Sequence, residues 1–142
     1  MLTGNKACSD MKLFLDANIL FSAGKTESNL FRLLQILKKK TTVITSDYAQ
    51  IEAQRNLQAK RATWLNGFPE VLSGIEIVPS LDSPVPSKIN EKDRPILATA
   101  VKHRCDILLT GDKRDFGHLF GQKVRQTQVL SPIMLIEVLK QL

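Results

Sequence analysis

The chain has 142 residues, 43% of them hydrophobic, which suits one domain with a substantial core. The 20 Lys and Arg against 14 Asp and Glu give a net charge of +6, so the surface favours a polyanion over a cationic partner. Cys8 and Cys105 lack C-x-x-C or His-rich spacing, and no apolar stretch approaches the roughly 20 residues needed to cross a bilayer, which excludes a disulfide framework, a zinc site and a membrane helix. A reduced, cytoplasmic protein is expected.

Residues 1–10 are polar, lack the hydrophobic centre of a signal peptide and precede Met11. They read as a disordered extension or an alternative start, leaving residues 11–142 as a single domain. Lys12 to Asp16 is a short strand ending in its acid. Ser28 caps a helix whose Leu30, Leu33, Leu34 and Leu37 recur at helical spacing, closed by Lys38, Lys39 and Lys40. Thr42 to Thr45 is a second strand, followed by a helix capped by Ser46 or Asp47 that carries Glu52 in its first two turns. Gly67 and Pro69 leave residues 62–74 ambiguous.

Ile75 to Val78 reads as a third strand, and the prolines and serines of 79–89 mark a surface loop within the domain. Asn90 or Arg94 caps the next helix, with Pro95 in its first turn and Asp93 at its N-terminus. Asp106 to Thr110 is apolar enough for a central strand and breaks at Gly111-Asp112. Thr127 to Leu130 is the last strand, and Ser131-Pro132 opens the final helix. Alternating strands and helices imply parallel pairing with right-handed crossovers.

Asp16 and Asp112 both follow buried apolar runs, where an acid must be desolvated, paired or metal-bound. Carboxyl ends of strands are where open α/β sheets build sites. Glu52 stands within roughly 10 Å of a strand end and can share that site. Taken alone, Glu52 is an ordinary solvated acid and Asp93 a complement to a helix dipole. Together the four are a hard-metal site suited to phosphodiester hydrolysis. Asp115 is either a further ligand or the cap of a short turn.

Phe14-Leu-Asp-Ala-Asn18, Glu52 after Ser46-Asp47, Asp93 opening an apolar helix and Leu109-Thr-Gly-Asp-Lys-Arg-Asp-Phe116 resemble, in this order, the PIN-domain ribonucleases. That family includes the VapC-type toxins of toxin-antitoxin pairs. The resemblance runs from Met11 to the C-terminus. It implies a three-layer α/β/α sandwich around a mainly parallel, about five-stranded sheet, and a metal-dependent endoribonuclease. Asp16, Glu52, Asp93 and Asp112 become the acidic quartet, with Asn18, Thr110 and Asp115 in support. A cognate antitoxin covering the acidic groove and a homodimer are also implied.

Oxygen-only ligands suit one or two Mg²⁺ or Mn²⁺ ions, which activate water and stabilise the leaving oxygen. The expected arrangement has Asp16, Asp93, Asp112 and Asp115 at the metal, with Asp16 and Asp112 as direct ligands. Four clustered carboxylates repel, so without metal some take up protons. Lys113, Arg114, Arg94 and Arg55, with Lys92, are expected to clamp flanking phosphates of RNA. Two rivals remain. A haloacid-dehalogenase-like phosphatase also uses an Asp after its first strand, but wants a second acid where Asn18 stands; a catalytically inactive PIN-like module would only bind RNA or protein. His103 and His118 stand in no recognisable nucleophilic triad.

Overall fold

The computed structural model describes residues 10–141; the expected N-terminal extension lies, apart from Asp10, outside the described residues. Among them, six strands form one sheet in the order β3-β2-β1-β4-β6-β5. These are β1 (Lys12–Leu15), β2 (Thr42–Ser46), β3 (Glu76–Val78), β4 (Ile107–Leu109), β5 (Lys123–Val124) and β6 (Thr127–Leu130). All pairings are parallel except β5 with β6. The five parallel strands are those the sequence leads one to expect. The antiparallel β5 is an addition: two residues carry no periodic signal, and only pairing with β6 makes them a strand.

The helices are α1 (Ala17–Ala23), α2 (Asn29–Lys40), α3 (Asp47–Lys60), α4 (Phe68–Leu72), α5 (Arg94–Lys102), α6 (Lys113–Phe116) and α7 (Pro132–Leu139). Strands β1 and β4 lie side by side at the sheet centre, and their apolar residues are buried on both faces, as in parallel sheets covered by helices. The chain runs outward from β1 through β2 to β3, then crosses back and runs the other way through β4 to β6. Crossovers of one hand in opposite directions put their helices on opposite faces, which makes the three-layer α/β/α sandwich. The reversal falls between β1 and β4, and the crevice at their carboxyl ends is the topological switch point.

Ser28, Ser46 and Ser131 accept hydrogen bonds from Phe31, Ala49 and Met134 N–H groups, capping α2, α3 and α7. The ambiguous stretch 62–74 becomes a 3-10 turn, Ala62–Gly67, followed by α4. Helix α5 ends at Lys102: Arg104 turns left-handed (φ 54°) and lets Cys105 N–H reach the Ala100 carbonyl at 3.0 Å. Helix α3 buries Ala49, Ala53 and Leu57 at four-residue spacing. The two small residues let it pack close against α1, bringing its polar face over the crevice. Among the described residues, no helix is long and apolar enough to cross a membrane.

Candidate active site

Asp16 directly follows the last residue of β1, still bonded through its N–H to the Leu109 carbonyl at 3.0 Å, and is the N-cap of α1. Its Oδ1 accepts from Ala17 N–H at 2.6 Å, and its Oδ2 accepts from the Thr110 hydroxyl at 2.8 Å and Asn18 Nδ2 at 3.4 Å. Thr110 Oγ1 in turn accepts from Asp112 N–H at 3.1 Å, and Asn18 Oδ1 accepts from Gly111 N–H at 3.0 Å. Asn18 and Thr110 thus tie the end of β1 to the end of β4. Burial pushes the Asp16 carboxyl up to about 6; the Thr110 and Ala17 hydrogen bonds oppose the rise, while the charges of Glu52 and Asp112 add to it.

Asp112 is the N-cap of α6, accepting from Asp115 N–H at 3.1 Å. Asp115 is therefore not that cap. It lies buried inside α6, and one carboxylate oxygen from each of Asp93, Asp112 and Asp115 falls within 4.8 Å of the other two. Asp93, and neither Asn90 nor Arg94, is the N-cap of α5, but its side chain makes no capping bond. Its Oδ2 is buried without a hydrogen-bond partner. Burial first, then the Asp115 carboxyl held close beside it and the charge of Asp16, push Asp93 up to about 7, with Lys92 opposing. For Asp115, desolvation works against ionisation, but its neighbours Asp93, Lys92 and Asp112 outweigh it and hold the group below the usual carboxylate range.

Asp16, Asn18, Glu52, Asp93 and Asp112 line one pocket of about 230 Å³, together with Phe21, Asn56, Lys60 and Lys92. Glu52 reaches it from an exposed position on α3. The expected basic residues divide. Arg55 lines an adjoining hollow with Tyr48 and Ile51, while Arg114 borders another with Asn90 and Asp115. Lys113 is exposed on α6. Arg94 is engaged elsewhere: its guanidinium bonds Asp82 at 2.7 and 3.2 Å, pinning the loop before α5. In place of an expected cap, Asn90 donates to Asp115 at 2.6 Å, and Lys92 pairs with Asp115 at 3.3 Å. Asn56 and Lys60 escaped the sequence reading. Their only signal is the four-residue spacing Glu52, Asn56, Lys60 along one face of α3. Burial pushes the Cys105 thiol up to about 12, which leaves it inert.

Comparison of this architecture with solved structures finds a chain of VapBC2 from Rickettsia felis, crystallised with a fragment of its promoter DNA. It aligns over 85% of this chain and 98% of that one, with a TM-score of 0.62 and 18% identity. The chain has a PIN-domain fold. A second PIN-fold likeness, to FitAB bound to IR36 DNA, has a TM-score of 0.52 and 17% identity over 84% of this chain and 94% of that one. The PIN domain endonuclease Utp24 aligns over 72% and 71% at 21% identity, with a TM-score of 0.44. No protein-family model and no curated protein matches the sequence itself. The PIN fold is thus carried by three-dimensional likeness, and the site's chemistry has to be argued from its own residues.

Proposed function

We propose that the chain is a metal-dependent endoribonuclease, hydrolysing RNA phosphodiester bonds with Asp16, Glu52, Asp93 and Asp112 as its acidic residues. One observation carries this reading: three carboxylates converge within 4.8 Å beside a buried Asp93 oxygen that no protein group satisfies. A buried polar atom without a partner is costly unless something outside the chain completes it. All donors are hard oxygens, which fits Mg²⁺ or Mn²⁺. When bound, one or two such ions polarise a phosphoryl oxygen and make water a better nucleophile.

Asp93, Asp112 and Asp115 would hold the ion, with Asn90 and Lys92 keeping Asp115 oriented and ionised. Asp16, fixed by Thr110 and Asn18, is the rigid wall opposite them. Glu52 faces the same pocket from solvent and accepts the proton released in hydrolysis. Lys60 and Lys92 at this pocket, with Arg55 and Arg114 in the adjoining hollows, contact backbone phosphates. Asn18 ties Gly111 to Thr110 and so does not stand in for the second acid of a phosphatase.

The reading extends to a cytoplasmic toxin with a cognate antitoxin covering the pocket, supported by the likeness to chains of VapBC2 and FitAB. It also includes a homodimer. Ile36 and Ile136, exposed beside the groove between α2 and α7, supply an apolar surface for it. The test is cleavage of end-labelled RNA with Mg²⁺ or Mn²⁺, beside EDTA and folded Asp93→Asn and Asp112→Asn variants. Cutting that needs metal, leaves 5′-phosphates and disappears in both variants is expected. Cutting that survives EDTA, or leaves only 2′,3′-cyclic phosphates, overturns it.

A further inference from the structure

We infer that Phe21 is the stacking face for an unpaired base of a single-stranded RNA, with Trp64 behind it and Lys60 and Arg61 holding the adjoining phosphates. The identity of the strand rests on the nuclease reading above. The chain has one Trp and one Tyr, too few to suggest a stacking platform from composition. The fold nevertheless brings Trp64 to Phe21, with ring centroids 5.7 Å apart at 52°. Phe14, Phe31, Phe68 and Phe116 are core residues, whereas Phe21 is only half-buried and lines the acidic pocket. An aromatic ring on that wall offers a metal nothing. It offers a nucleobase a π-face beside the carboxylates.

The charges lie where a strand's backbone would pass. Glu52, Asn56 and Lys60 share one face of α3, and eight residues of helix carry that face about 12 Å from the acids. Arg61 follows, its guanidinium 5.7 Å from the Trp64 centroid and its Nη1 donating to the Lys60 carbonyl at 2.8 Å. Among the described residues, neither Lys60 nor Arg61 enters a salt bridge. The platform is also tightly seated. A Cβ on Gly24 would lie 3.1 Å from Leu57 Cδ2 and 3.5 Å from Trp64 Cβ, and one on Gly67 only 2.6 Å from Thr26 Cγ2. The turn carrying Trp64 therefore lies directly on the end of α1, so the face is formed before any ligand arrives.

The test is binding of a short mixed-sequence RNA to the Asp112→Asn protein, which keeps the strand intact, read by Trp64 emission across a salt series. The single strand should shift the emission, and the same sequence as a duplex should not. Phe21→Leu should weaken single-strand binding about tenfold while Phe21→Tyr retains it. Lys60→Gln, on an exposed position that does not threaten folding, should reduce the slope of log affinity against log salt by about 0.7. Unchanged single-strand affinity in folded Phe21→Leu, an unchanged slope in Lys60→Gln, or equal binding of the duplex overturns the inference. RNA cleavage with none of these binding signatures sinks this inference alone. The signatures without cleavage by the unsubstituted protein sink only the nuclease reading.

Discussion

Asp16 and Asp93 are buried almost equally, at 5% and 8% exposure, yet they stand in opposite situations. Asp16 has both oxygens satisfied by the protein, through Ala17, Thr110 and Asn18. Asp93 has an oxygen with no partner, opposite two further acids. What distinguishes the two is that the fold supplies a donor to each Asp16 oxygen and none to Asp93 Oδ2. The three acids with oxygens within 4.8 Å of one another are Asp93, Asp112 and Asp115, and it is on these that we propose the ion sits.

The contrast can be broken most directly at Asp93. Asp93→Asn should lower metal-dependent cleavage by more than about 100-fold, beyond the loss typical of an outer-shell partner, as read by initial rates at saturating metal. A second consequence concerns pH. Asp16 at about 6 and Asp93 at about 7 both lie above the ordinary 3.8, so the folded, metal-free protein holds protons that the unfolded chain has released. Metal-free stability should therefore fall as pH rises from about 4 and level off above 6 for Asp16 and above 7 for Asp93, by about 3 kcal/mol from Asp16 alone across that range. Urea unfolding in EDTA at pH 4 and pH 8 measures this, and Asp93→Asn should remove the Asp93 share of the difference.

Thr110→Val tests the satisfied side. It removes the donor to Asp16 Oδ2 and the acceptor for Asp112 N–H, and should slow cleavage about 10- to 100-fold. Stability should drop by about 1–3 kcal/mol, because buried polar groups are left without partners. Asn90→Ala should be milder. It frees Asp115 Oδ1 and weakens metal affinity about tenfold, measured by calorimetric titration with Mn²⁺. Arg94→Ala should change least: its guanidinium is engaged with Asp82 at the surface, so cleavage rate and melting temperature should stay close to those of the unsubstituted protein. A large loss of RNA affinity there would restore Arg94 as a phosphate clamp.

Much of the framework was legible beforehand because it rests on local signals. Apolar runs ending in Asp16 and near Asp112, Leu periodicity in α2 and serine caps on three helices are short-range features, and they set the order of elements. Helix α1 was hidden because Asp16, the residue after β1, is already the cap of the helix, leaving no gap between the two signals. The two-residue β5 was hidden because its only support is a partner strand.

The parallel α/β framework, three acids at strand ends and helix starts and Glu52 in the second turn of α3 are written in local pattern, because periodicity and capping act over a few residues. What each acid has as a neighbour came from packing. It gave Asp16 the hydroxyl of Thr110, turned Asn90 and Lys92 toward Asp115, drew Arg94 away to Asp82 and set Trp64 against Phe21. Those partners are far apart in the chain and carry no shared local pattern. Only the packing of α3 on α1 and of β4 beside β1 brings them within hydrogen-bonding or ring-contact distance, and there solvation, pairing and charge settle which acid is closed and which is open.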